Sequence, residues 1–196
     1  ERFWLQARGL DSNLKLYLVV SFLFTLGNSS NAFLLLRAKG MGFTDANVIL
    51  LYLLYNLSAA VLSIPFGRLS DKSGRKNVLV AGYVIFAIVY FGFAFASSRA
   101  ALIGLFALYG VHTAMVAGVE RTFIAELAPA RMKGTLLGLQ ATVVGVTLMP
   151  ASILAGLLWN TSGASAPFIF GGAMAVVAAA LLLFGLKNRK NLNTAQ

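Results

Sequence analysis

The sequence predicts an all-α integral membrane domain of six transmembrane helices, and three observations carry that prediction. Hydrophobic residues make up 59% of the 196 residues and charged residues only 11%, against about 25% charged in an ordinary soluble domain. Six apolar runs, at about 14–36, 46–66, 77–97, 101–127, 135–158 and 166–186, each reach the roughly 20 residues that a membrane-crossing helix needs. None alternates with the period of two that marks a strand, and lipid leaves an open sheet with unsatisfied backbone.

The elements follow in order. The first run is preceded by "ERFWLQARGLDSN", residues 1–13, a basic, Trp-containing segment that leads straight into a full span. It reads as a cytoplasmic linker or amphipathic stretch, not as a cleavable signal. Thr44-Asp45 offers an N-cap for the second run. The second and third runs are separated by "FGRLSDKSGRKNVL", residues 66–79, where five of the 22 charged side chains fall between Arg68 and Lys76. Pro129 stops the fourth run, and residues 188–196 form a tail. The membrane domain is thus expected over 14–187.

Charge fixes the expected orientation. Twelve of the 16 Lys and Arg lie in the N-terminal segment, the 2–3 and 4–5 loops and the tail. Only Arg37, Lys39 and Arg99 lie on the opposite face, and Arg121 is within the fourth run. Both termini are therefore expected in the cytoplasm, with the chain in a bacterial cytoplasmic membrane. The net charge of +10 is then a topology signal and no nucleic-acid partner is expected. Absence of cysteine excludes disulfides, thiolate metal sites and cysteine nucleophiles. No cofactor or metal is expected.

The charged stretch recurs 89 residues later. "GRLSDKSGRKNVLVAG" (67–82) lies over "GLLWNTSGASAPFIFG" (156–171), with five of sixteen positions identical, including Gly74/Gly163 and Gly82/Gly171. Three helices separate the copies, so the second would be inverted relative to the first. Two triplets, about 14–97 and 101–187, related by inverted topology are a transporter architecture with the site at mid-membrane.

Residues Gly67-Arg-Leu69-Ser-Asp71-Lys72-Ser-Gly74-Arg75-Lys76-Asn-Val-Leu79 resemble the signature loop of the major facilitator superfamily, G-x-L-a-D-r-x-G-r-k-x-x-l, at its usual place between helices 2 and 3. "GVERTFIAELAPARMKGTLLGL" (118–139) is similar to that family's helix 4 to helix 5 stretch, and "GVTLMPASILAG" (145–156) to a Gly/Pro-rich fifth-helix motif of antiporters. Pro150 lacks the flanking glycines of that motif, and "LFALYGVHTAM" lacks the arginine common in proton-coupled members, so the direction of transport stays open. The resemblance implies one six-helix half of a major-facilitator-type fold, most like a C-terminal half. Its partners would be the lipid bilayer, a small-molecule substrate and a second six-helix half, from a twelve-helix chain or a homodimer mate.

The resemblance also implies roles. Gly67 and Gly74 permit a tight turn. Asp71 would sit at a helix start in the other half, and Arg75, beside Lys76, would pair with Glu126 at the cytoplasmic end of helix 4. Together they would lock one transport state. Asn28, Ser29 and Asn31 in "GNSSNAF" are the leading substrate contacts, with Asn56 and Gln140 as further cavity candidates. His112, Glu120 and Arg121 are intramembrane groups that can carry charge or a proton, or tie helices together. Competing readings are a non-transporting scaffold or receptor of the same fold, a channel, and an intramembrane serine protease using Ser29 or Ser30 with His112. No Gly-x-Ser-Gly context surrounds either serine.

Overall fold

The computed structural model describes residues 11–186. The tail at 188–196 and all but the end of the 1–13 segment lie outside the described residues. Six spans are built from eight α-helices. The first span comprises α1 (Ser12–Gly27) and α2 (Ala32–Gly40), the second α3 (Asp45–Ser73) and the third α4 (Arg75–Phe95). The fourth comprises α5 (Arg99–Val116) and α6 (Val119–Leu127), the fifth α7 (Lys133–Ser162) and the sixth α8 (Ala166–Ala180), ending in a π-turn over Leu181–Gly185. No strand occurs among the described residues.

Side-chain oxygens start several helices. Asp11 accepts from the Asn13 N–H at 3.5 Å, Thr44 from Asn47 at 3.4 Å and Ser98 from Ala101 at 3.2 Å, each satisfying an orphan donor. Gly74 and Gly163 stand at φ +89° and +93° at the ends of the two longest helices, a region that glycine reaches without steric cost. Buried or lipid-facing hydroxyls return to their own helix: Ser58, Thr113 and Thr147 donate to the carbonyls of Leu54, Tyr109 and Val143.

Two expectations from the sequence need correction. The charged stretch is mostly helix rather than loop: α3 runs through Gly67 to Ser73, and a single residue, Gly74, separates it from α4. Gly67 therefore does not turn the chain. Charge ended the apolar run but not the helix, and Asp71 near the end of α3 pairs with Arg75 at the start of α4 (3.1 Å) across Gly74. The first span is also not continuous: it breaks at 28–31, where Asn28 leaves the helical region (φ −91°, ψ 74°), whereas the fourth only bends at 117–118, both residues keeping helical dihedrals.

The third span is the most enclosed, with 56% of its apolar window buried, against 17% for the second and fifth. It packs on α5 and α8, while α3 packs on α5, and α1 on α7 and α8. Aromatic rings fill the centre. Phe24 stacks on Tyr83 (4.0 Å between centroids), Phe86 on Tyr90 (3.9 Å) and Phe93 on Phe168 (5.6 Å). A Cβ on Gly82 would lie 2.6 Å from Val116 Cγ2, and one on Gly171 would press on the Gly27 carbonyl. These glycines mark close crossings of the third span on the fourth and of the sixth on the first.

Candidate functional site

Irregular backbone at membrane depth survives only where protein buries it or where it lines a cavity. The broken first span does the latter. Its break and the bend of the fourth span line a cavity of about 370 Å³ whose wall includes Asn28, Ser29, Asn31, His112 and Glu120. Five side chains singled out in the sequence are thus brought together from two spans.

Tyrosine hydroxyls tie this wall to its neighbours. Tyr109 donates to Asn31 Oδ1 at 2.8 Å, and Asn31 Nδ2 donates to the Tyr55 hydroxyl at 3.2 Å. One amide therefore joins the first, second and fourth spans. Tyr90 reaches Asn28 Oδ1 at 3.5 Å, the limit of a hydrogen bond. Tyr83 donates to Glu120 Oε1 at 2.8 Å, joining the third span to α6. His112 is buried among Phe24, Phe86 and Tyr109, with Nδ1 2.8 Å from the Gly82 carbonyl.

Asn56, Gln140 and Arg121 are not part of this wall. Asn56 bonds back to the Tyr52 carbonyl of its own helix at 2.7 Å. Gln140 is buried on α7. Arg121 is exposed and enters no ion pair among the described residues. The tyrosines were missed because they count as apolar in a hydropathy reading. The available signal was that a buried Tyr O–H requires an acceptor.

The end of the bundle that carries the basic stretch holds a second cluster. Arg75 pairs with Asp71 and also with Glu126, so the second, third and fourth spans meet at one guanidinium. A cleft of about 590 Å³ opens beside it, lined by Gly67, Asp71, Arg75 and Gly118 among others. Lys76 Nζ caps the sixth span at the Leu186 carbonyl, 2.8 Å away. At the opposite end Arg37 donates to the carbonyls of Phe93, Ala94 and Ala96, Arg99 to those of Met41 and Gly42, and Lys39 pairs with Asp45. The three bases there are therefore engaged in holding loops and a helix terminus. No group of three or more His, Asp or Glu side chains suited to a metal occurs among the described residues.

Residues 17–196 match the family model described as Major Facilitator Superfamily. An uncharacterised MFS-type transporter of Methanocaldococcus jannaschii is 44% identical over 183 residues, 90% of this chain and 46% of that protein. A multi-drug resistance efflux pump homolog of Lactococcus lactis is 32% identical over 157 residues, 78% of this chain and 38% of its own. A quinolone resistance protein of Staphylococcus aureus is 24% identical over 80% of this chain and 40% of its own. The chain spans less than half the length of these relatives.

Proposed function

This chain belongs to the major facilitator superfamily, and from that premise we propose that it is one half of a secondary active transporter for a small solute. Rocker-switch alternating access is the mechanism, with the mid-membrane cavity as this half's share of the solute site. One observation carries the reading: a broken first span and a bent fourth span turn polar side chains into a common cavity at half-depth, an arrangement that suits a transporter site. The efflux in the name of the Lactococcus lactis relative agrees with it.

The 3+3 inverted repeat is supported by matching contacts. Gly82 meets Val116 and Gly171 meets Gly27, and both members of each correspondence lie 89 residues apart, as do Gly74 and Gly163 at their positive-φ turns. The second and fifth spans expose Ile49, Leu53, Leu57, Val146, Met149 and Leu157, apolar surface for lipid and for a second six-helix half. Twelve bases against three support cytoplasmic termini.

In this mechanism the Arg75 cluster is the cytoplasmic lock. Arg75 holds Glu126 while Asp71 offers its carboxylate to a helix start in the other half, where an anion contributes about 0.3–1 kcal/mol. The decisive test is Asp71→Asn in the intact protein, with solute flux followed in vesicles. Flux should fall with the fold intact; normal turnover and normal state populations would sink the gating role.

A further inference from the structure

Four bases stand between Arg68 and Lys76, and the fold engages only two of them. Arg75 pairs with Asp71 and Glu126, and Lys76 caps the sixth span at the Leu186 carbonyl. Arg68 and Lys72 are exposed and enter no ion pair among the described residues. They stand at i, i+4 near the end of α3, so two like charges are neighbours, an unfavourable arrangement by itself. The helix dipole favours bases in the last turn, but it does not choose the side of the helix on which they stand.

That side is apolar. At about 100° per residue, Leu57, Val61, Ile64, Arg68 and Lys72 fall within about 80° of arc on α3. The three apolar members are each more than half exposed, and no residue from 57 to 69 is buried. The stripe is thus apolar along its membrane length and doubly basic at its end. From Arg68 to Leu57 the helix rises about 16 Å, roughly half of a hydrocarbon core about 30 Å thick and so the depth of one leaflet. At that depth Leu57 and Val61 form one edge of an apolar groove of about 550 Å³ against Leu108 and Val111 of α5.

We propose that this stripe holds an anionic phospholipid of the adjacent leaflet, the cytoplasmic one in the orientation proposed. Its phosphate sits between the Arg68 guanidinium, a planar fork of donors, and the Lys72 ammonium, a compact point charge. One acyl chain runs along Ile64 and Val61 and ends in the groove. Charge complementarity selects the lipid over an apolar helix of a second half, which would leave both bases without a counter-charge. The site does not depend on transport, so it stands or falls apart from the transporter reading.

The test uses the intact protein in detergent and two probes with the same dioleoyl chains, phosphatidylglycerol and phosphatidylcholine, whose bound copies are counted by native mass spectrometry. One base at an anionic lipid surface contributes about five-fold in affinity. The pair should therefore favour the first bound phosphatidylglycerol by about ten-fold or more. Arg68→Gln with Lys72→Gln should reduce that preference to about two-fold or less, with the unfolding midpoint in pure detergent unchanged. Arg131→Gln with Lys133→Gln removes the same charge from another exposed part of the basic end and should leave the preference within about two-fold of the unmodified protein's. Equal binding of the two lipids by the unmodified protein overturns the proposal, and is the result expected if a second half covers the stripe. Equal loss of preference in the two double variants also overturns it, by showing a response to net charge alone.

Discussion

Gly171→Ala tests the crossing on which the first span's break rests. The added Cβ would press on the carbonyl of Gly27, the last residue of α1, and stand 2.6 Å from Tyr90 Cδ1. Neither neighbour yields cheaply. The carbonyl is backbone, and the Tyr90 ring is fully buried and stacked on Phe86. Overpacking of a tight core costs about 1–3 kcal/mol, and a backbone obstacle puts this case at about 2–3 kcal/mol. That is roughly a thirty-fold or greater fall in the folded-to-unfolded ratio. Gly82→Ala meets a side-chain methyl, Val116 Cγ2, and should cost about 1 kcal/mol. Gly104→Ala and Gly138→Ala meet nothing within 4 Å and should be neutral or stabilising by up to about 1 kcal/mol through helix propensity. Reversible unfolding of the intact protein in mixed micelles reads all four. A Gly171→Ala change within about 0.5 kcal/mol of the unmodified protein, or an equal loss in Gly104→Ala, would refute the packing account.

Two further outcomes follow from the polar ties. Arg75→Ala and Glu126→Gln should be non-additive, with a small stability coupling of about 0.2–1 kcal/mol because Glu126 is half exposed; alkylation of a cysteine placed at Ser63, on the cleft wall, reports state populations once any cysteine in the rest of the intact protein is replaced. The double variant should alkylate as fast as either single one, and a summed effect would refute a shared lock. Asn31→Leu should orphan the Tyr55 and Tyr109 hydroxyls at about 1–3 kcal/mol each unless they find new partners, so unfolding should shift strongly; an unchanged midpoint would mean that the amide is not a tie.

Much of the fold was legible because the membrane restricts what a sequence can do. Apolar length gave six spans and charge marked their ends. The helix limits were less legible, because apolarity reports lipid contact while the helix continues past it, as α3 does from residue 66 to Ser73. The break in the first span was hidden for a related reason. "GNSSNAF" carries no proline, and its polarity signals a wet or hydrogen-bonded site without saying that the backbone lets go.

Direction was the harder part of the site, and helix geometry explains both outcomes. Tyr55 faces the cavity and ties Asn31, so Asn56, one residue on and turned about 100° away, points elsewhere and returns to the Tyr52 carbonyl. The same rotation separates Glu120, on the wall, from exposed Arg121. Polarity alone ranks these neighbours equally; knowing one partner orders them. The tyrosines are those partners, and their use has a consequence for function. Tyr83 and Tyr109 each carry a hydroxyl from one span to a polar wall residue on another. The groups that line the cavity are therefore also groups that hold the spans in register. Rigid-body rocking of this half against a second one would leave these bonds intact, because each lies within this half.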